Sequence, residues 1–203
     1  MPAPSLLLAS SSPRRQELLR AAGFEFEVAA PDIKEKADPH LTAGEVTGWN
    51  ALRKGLTIAR AHPNQVVLAA DTVVALGTEI IGKPNDIDDA MRILARLSGR
   101  SHHVYSSVFV GLLSAAKIKT FCEISEVRFR KLNQRQIHDY LRKIDPLDKA
   151  GAYAAQGHGA EIIEQIDGSY SNVVGLPMEK TAATLTQFGI RPAIAQKQAV
   201  AST

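Results

Sequence analysis

The chain has 203 residues, 45% of them hydrophobic, and its 24 basic and 21 acidic side chains leave a net charge of +3. That length buries a substantial core, and charges spread without a basic tract or interleaved aromatics point away from a nucleic-acid polymer as partner. One cysteine, Cys122, excludes a disulfide framework or cysteine metal site within the chain; no apolar run is long enough to span a membrane and no basic leader precedes a signal-like core, so a soluble cytoplasmic protein without membrane contact is expected.

Ser5–Ala9 is short and apolar and reads as a buried strand, and Gln16–Ala22 carries helix formers and stops at Gly23, with Ser12 as N-cap and Pro13 at the first helical position. Phe24–Val28 alternates with period two, as a second strand does, and Pro31–Leu41 is a polar loop. Thr42-Ala43-Gly44-Glu45 matches a capping box, opening a helix that runs to His62 before Pro63-Asn64. Val66–Ala70 reads as a buried strand with Asp71-Thr72 at its end, followed by a small hairpin of Val73–Leu76 and Glu79–Ile81 around Gly77-Thr78. Asp86 caps a helix with Ile87, Met91, Leu94 and Leu97 on one face, closed by Gly99. Two long strands, His102–Leu113 and Ile118–Arg130, are joined by a turn at Ser114–Lys117; Cys122 in the second reads as a small buried hydrophobe. A helix from Asn133 to Arg142, a loop at Asp145–Lys149, a strand at Ala160–Ile166, a turn at Asp167-Gly168 and a helix from Pro177 to Phe188 complete the pattern, with a frayed tail over 191–203. Interleaved helices and strands predict an α/β fold with a mixed sheet.

Chemistry concentrates in a few segments. At Ser10-Ser11-Ser12-Pro13-Arg14-Arg15, free backbone N–H groups, the positive end of a helix dipole, hydroxyls and two guanidiniums converge, an arrangement suited to phosphate; a capped helix with two solvated arginines is the alternative. Asp71 follows five apolar residues, where a carboxylate needs a cation, a metal or hydrogen-bond donors to stay ionised. It reads as a magnesium ligand or general base, with Lys54 and Lys83 flanking it in sequence, or else as the cap of a turn. Glu35 in the polar loop is a candidate second acid for a hydrated metal, or a surface glutamate. The small residues of Asp148–Gly159 allow backbone to approach a ligand, and Gln156 offers both donor and acceptor to a base edge; a ligand-free flexible loop has the same composition. Gly168–Pro177 reads as a cleft wall or a turn. Gly77–Pro84 nearly spells a P-loop, but Pro84 supplies neither the hydroxyl nor the N–H that motif needs. Ser114-Ala115-Ala116-Lys117 lacks the companion motifs of serine acylases, and the six histidines have no paired zinc spacing.

Together, Ser10–Arg15, Ala70–Val74, Gly82-Lys83-Pro84, Leu97–Arg100, Asp148–Tyr153 and Gly168–Pro177 resemble the Maf family of nucleoside triphosphate pyrophosphatases, in order and over residues 5 to about 188. The resemblance implies one domain over 1–190, two-lobed, with an elongated twisted mixed sheet, flanking helices and a central cleft like that of inosine triphosphate pyrophosphatases. It also implies a homodimer, and hydrolysis of a nucleoside triphosphate between the α and β phosphates with Mg2+ or Mn2+. On it, Ser10, Arg14 and Arg15 hold the phosphates, Lys54 and Lys83 add positive charge, Asp71 is metal ligand or base, Glu35 lies near the metal and Gln156 near the nucleotide. Ser-Pro-Arg-Arg and the glutamine after Gly-Ala-Tyr resemble the branch acting on dTTP, UTP and some modified pyrimidine nucleotides. The chain departs from the family at Tyr105-Ser106-Ser107-Val108, which bears on cleft shape, and at Gly55, where alanine is usual. The competing reading is a nucleotide-binding regulator of septum formation without essential catalysis; the presence of Asp71 and Arg14 argues for the enzyme.

Overall fold

The computed structural model describes residues 4–193 apart from 37 and 39, so the tail expected to fray lies, from 194 onward, outside the described residues. In chain order the elements are β1 (Leu6–Leu8), α1 (Pro13–Ala21), β2 (Glu27–Val28), α2 (Ala43–Ala61), β3 (Val66–Leu76), β4 (Glu79–Ile81), α3 (Ile87–Leu97), β5 (Ser101–Leu112), β6 (Lys117–Phe129), α4 (Gln134–Leu141), α5 (Gly159–Ile162), β7 (Ile163–Asp167), α6 (Tyr170–Val174) and α7 (Met178–Gln187). Short 3-10 turns occupy Leu113–Ala115 and Ala150–Ala152. The strands form one mixed sheet in the order β2-β1-β3-β5-β6-β7, with β4 also on β3. β1 runs parallel to β2 and β3, and the other pairs are antiparallel.

Strand alternation distributes the core. Leu6, Leu8, Val66, Leu68 and Ala70 pack against α1 and α7, while Leu7, Val67 and Ala69 pack on the opposite face against α2. A further cluster gathers Val74, Val104 and Phe129 with α3, α4 and Tyr153 at the other end of β3 and β5. The same period sends Asp71 to the α2 face and Thr72 to the α1 face. The capping box of Thr42 and Glu45 is formed, Asp86 caps α3, and Asn133 and Gln136 form a second box at α4.

Several expectations change. β3 does not end at Asp71: it continues for 11 residues through β-branched Thr72, Val73 and Val74, with Asp71 opposite Ser107 on β5. Ser12 holds the N-cap position without a side-chain cap; its own N–H donates to the Ser10 hydroxyl at 3.2 Å. Of Phe24–Val28, Glu27 and Val28 pair with β1, while Phe24 and Phe26 face the core beneath α1. The strand expected from Ala160 begins at Ile163, because Gly159–Ile162 turn as helix where Gly159 passes so close to the Ala154 carbonyl that a Cβ would lie 2.8 Å from it. Cys122 is exposed rather than buried: on β6, Phe121 takes the packed face and Cys122 the open one.

Gly55 is explained by Phe109, whose fully buried ring lies against the α2 backbone; a Cβ on Gly55 would fall 2.1 Å from it. Alanine ordinarily gains about 1 kcal/mol over glycine in a helix, yet Gly55→Ala is expected to destabilise by about 1–3 kcal/mol through overpacking. In urea unfolding, Gly55→Ala combined with Phe109→Leu should cost less than the two single changes summed; strict additivity contradicts this packing.

His102 is fully buried, and that burial, with the charge of His103, pulls its pKa from 6.5 to about 4. Below 6.5 the unfolded chain takes up a proton that the folded chain refuses until about 4, so stability falls as pH falls through that window, by about 3 kcal/mol in all. Unfolding free energies from urea denaturation at pH 7 and pH 4 should differ by about that much more in the parent chain than in His102→Gln; equal differences contradict it.

Candidate functional site

A cleft of about 420 Å³ opens where the C-terminal end of β1, the middle of β3 and the segment 148–156 meet. All eight residues singled out in the sequence, Ser10, Arg14, Arg15, Glu35, Lys54, Asp71, Lys83 and Gln156, line it. They arrive from several parts of the fold. Ser10, Arg14 and Arg15 come from the turn after β1 and the first turn of α1, Lys54 from the buried face of α2, Asp71 from β3, and Glu35, Lys83 and Gln156 from connecting segments.

Lys54 is the centre of the arrangement. Its ammonium donates to Asp71 Oδ1 and to Glu35 Oε1, each at 2.6 Å, with its side chain only 11% exposed. From this bridging position between two carboxylates it lines the cleft and contributes positive charge to it. Burial raises the Asp71 pKa, and the charge and hydrogen bond of Lys54 oppose that without overcoming it. Burial pushes Glu35 up as well, but there the Lys54 hydrogen bond and the charges of Lys54, Lys83 and Arg15 prevail and the net direction is down. One cation thus keeps an ionised carboxylate beside one with raised basicity.

The two arginines differ. Arg15 is bound on three sides: Nε donates to the Gly175 carbonyl at 2.9 Å, Nη1 to Ser10 Oγ at 3.2 Å and Nη2 to Thr72 Oγ1 at 3.1 Å. Burial lowers its pKa, Asp71 and Glu35 oppose that, and the guanidinium remains charged. Thr72 continues the network to Ser106 Oγ at 2.9 Å, which bonds the Asn172 carbonyl at 3.2 Å, so unusual Ser106 sits directly beneath the cleft. Arg14 bonds Asp148 across the mouth, Nη1 to Oδ2 at 2.7 Å, and Lys149 shares that carboxylate. Lys83 is exposed at the rim. α6, read from sequence as wall or turn, is a capped helix whose end supplies the Gly175 carbonyl to Arg15.

Sequence reasoning missed Asn50, Thr72 and the partnership of Arg14 with Asp148. Asn50 is buried one helical turn before Lys54. Its amide donates to Asp71 Oδ2 at 3.2 Å and to the Lys36 carbonyl at 3.0 Å, and accepts from the Lys36 N–H at 2.9 Å. Its readable signal was a polar side chain in the buried stripe Ala43, Val46, Thr47, Asn50, Ala51, Lys54. Thr72 and Asp148 carried no such signal, since their partners are remote in sequence.

The cleft holds hydroxyls, cations and helix N–H groups for phosphate oxygens and two hard carboxylates suited to Mg2+ or Mn2+. Among the described residues no group of three or more His, Cys, Asp or Glu gathers as a metal cage, and no helix is long and apolar enough to cross a membrane. A two-carboxylate set fits an ion that keeps water and substrate oxygens in its shell.

Comparison with known proteins matches the Maf-like protein family model to residues 5–188. The dTTP/UTP pyrophosphatase of Bacillus pumilus is 44% identical over 187 residues, 92% of this chain and 98% of that protein. The proteins of the same name from Symbiobacterium thermophilum and Anaeromyxobacter dehalogenans are each 46% identical, covering 91% and 92% of this chain and 94% and 95% of their own length.

Proposed function

The chain belongs to the Maf-like protein family, and on that premise we propose that it hydrolyses dTTP and UTP, with modified pyrimidine relatives, between the α and β phosphates to a monophosphate and pyrophosphate. The observation that carries this reading is the Asp71 carboxylate, buried in a cationic cleft and shared with Glu35 on one ammonium.

Charge supports it. Arg14, Arg15, Lys54 and Lys83 face Glu35 and Asp71, while Asp148 and Lys149 offset each other, leaving two positive charges. A nucleoside triphosphate brings about four negative charges, which one divalent cation then balances. Glu35 and Asp71 would hold that Mg2+ or Mn2+, which supplies charge neutralisation at the phosphates. Ser10, the α1 N–H groups, Arg15 and Lys83 position the phosphate chain, and Arg14 exchanges Asp148 for a phosphate oxygen. Asp71, kept ionised by Lys54, is also the group placed to accept the proton of the attacking water. Gln156 meets the base edge. No covalent protein intermediate enters. A cytoplasmic site of action, where these substrates are found, accords with this reading, as does a homodimer, for which half-exposed Trp49 and Ile118 offer apolar surface.

Pyrophosphate release from a panel of nucleoside triphosphates with Mg2+ or Mn2+ should be fastest with dTTP and UTP. It should drop by about a hundredfold to ten-thousandfold in Asp71→Asn, in a chain that is still folded at the assay temperature although its unfolding midpoint falls with the loss of one partner of the buried Lys54 ion pair. Full activity in that variant overturns the assignment, and nucleotide binding without turnover in the parent chain moves the reading to the regulator.

Carbon-detected NMR titration of the Asp71 carboxyl in metal-free protein should give a midpoint above the ordinary aspartate value of about 3.9. Lys54→Met, which removes the opposing cation, should raise it further; a midpoint at or below the ordinary value, or a downward shift in the variant, contradicts the electrostatics described.

A further inference from the structure

Three consecutive residues leading to Gln156 are gripped by three tyrosine hydroxyls, each anchored in a different part of the fold. Tyr153 turns inward, and its hydroxyl hydrogen-bonds His102 Nε2 on β5 at 2.9 Å, with both rings packed edge-on against Phe129. Tyr140 of α4 closes both backbone groups of the next residue: its hydroxyl accepts from the Ala154 N–H at 3.0 Å and donates to the Ala154 carbonyl at 3.2 Å. Tyr170, at the start of α6, donates to the Ala155 carbonyl at 3.2 Å. Upstream, Gly151 and Ala152 both adopt left-handed backbone, φ +73° and +60°, and the Gly151 N–H donates to the Gly82 carbonyl beside Lys83. Alanine in that region is strained, and such strain persists where the surroundings over-determine it.

A segment with this many small residues has little packing of its own to hold one conformation, so the hydroxyls do what side-chain volume does elsewhere. Tyr140 and Tyr153 are buried, and Tyr170 is half exposed, so two grips are internal and one lies at the surface. Gln156, the first residue beyond the grip, lines the cleft.

We propose that Tyr140, Tyr153 and Tyr170 are positioning residues that fix the depth of Gln156 in the cleft and thereby select a pyrimidine over a purine. The inference rests on the pyrophosphatase reading and deepens it. Uracil and guanine present the same pair on the edge a glutamine amide reads, a carbonyl oxygen beside a ring N–H, in O4 with N3–H and O6 with N1–H. They differ in how far that edge lies from the sugar. An amide held at one depth separates them by reach, whereas an amide on a loosened segment follows either base.

The test is the ratio of kcat/KM for UTP to that for GTP, measured with Mn2+ in the parent chain, Tyr170→Phe, Tyr140→Phe, Gln156→Ala and the two tyrosine changes each combined with Gln156→Ala. Each phenylalanine removes one oxygen and keeps the ring, and Tyr170→Phe at the surface leaves the core untouched, so folding is preserved in at least that variant. Displacements of this kind change rates by an order of magnitude or more. The ratio is expected to fall about tenfold in Tyr140→Phe, less in Tyr170→Phe, and to fall no further when either is added to Gln156→Ala. General destabilisation lowers both nucleotides alike and leaves the ratio unmoved. An unmoved ratio in both tyrosine variants, or full additivity with Gln156→Ala, overturns the proposal while leaving the pyrophosphatase reading in place. A parent chain that turns over neither nucleotide removes that reading and the proposal with it.

Discussion

The structure turns on one ammonium. Asp71 sits in the middle of a central strand, 4% exposed, where an unpaired carboxylate is costly. Lys54 meets it at 2.6 Å, and to do so the lysine must lie on the buried face of α2, which in turn needs small neighbours along that face. The same ammonium captures Glu35 from an irregular segment, and Asn50, one turn away, clamps that segment at Lys36. Removing one partner of a buried ion pair costs about 3–5 kcal/mol. The helix, the strand and the preceding segment are thus bound to one another at the point where the cleft needs two carboxylates together.

Around that centre the remaining charges are held by protein groups before any ligand arrives. Arg15 is fixed by Gly175, Ser10 and Thr72, and the chain of hydroxyls behind Thr72 reaches through Ser106 to the backbone of α6. Preorganised donors lose little when they meet a phosphate, because their orientation is already established. Arg14 differs, since its present partner is the half-exposed Asp148 at the mouth. The cleft therefore has a rigid floor and an exchangeable rim.

Much of this was legible in the sequence for reasons tied to particular residues. The capping box at Thr42, the cap at Asp86 and the two long strands joined by a short turn are local signals, and the structure forms them as expected. Ser10, Arg14 and Arg15 could be placed because a strand, a turn and a helix start leave little choice for three residues so close together. What failed depended on contacts remote in sequence. Asp71 looked like a strand end because a buried carboxylate ordinarily terminates apolar pairing, and only Lys54 and Asn50, 17 and 21 residues away, make it tolerable in mid-strand. Cys122 looked buried beside Phe121 in an apolar β-like stretch, while alternation along β6 sends Phe121 to the packed face and Cys122 to the open one. Gly55, an unexplained departure in the sequence, became a packing statement once Phe109 was found against it.

The most direct test of this account is a crystal structure of the protein with Mn2+ and a dTTP analogue whose α-β bridge resists hydrolysis. The account predicts an anomalous peak in contact with the carboxylates of both Glu35 and Asp71, with the phosphate chain against Ser10 and Arg15 and the base toward Gln156. A manganese ion bound away from Asp71, or a triphosphate seated outside this cleft, would contradict it.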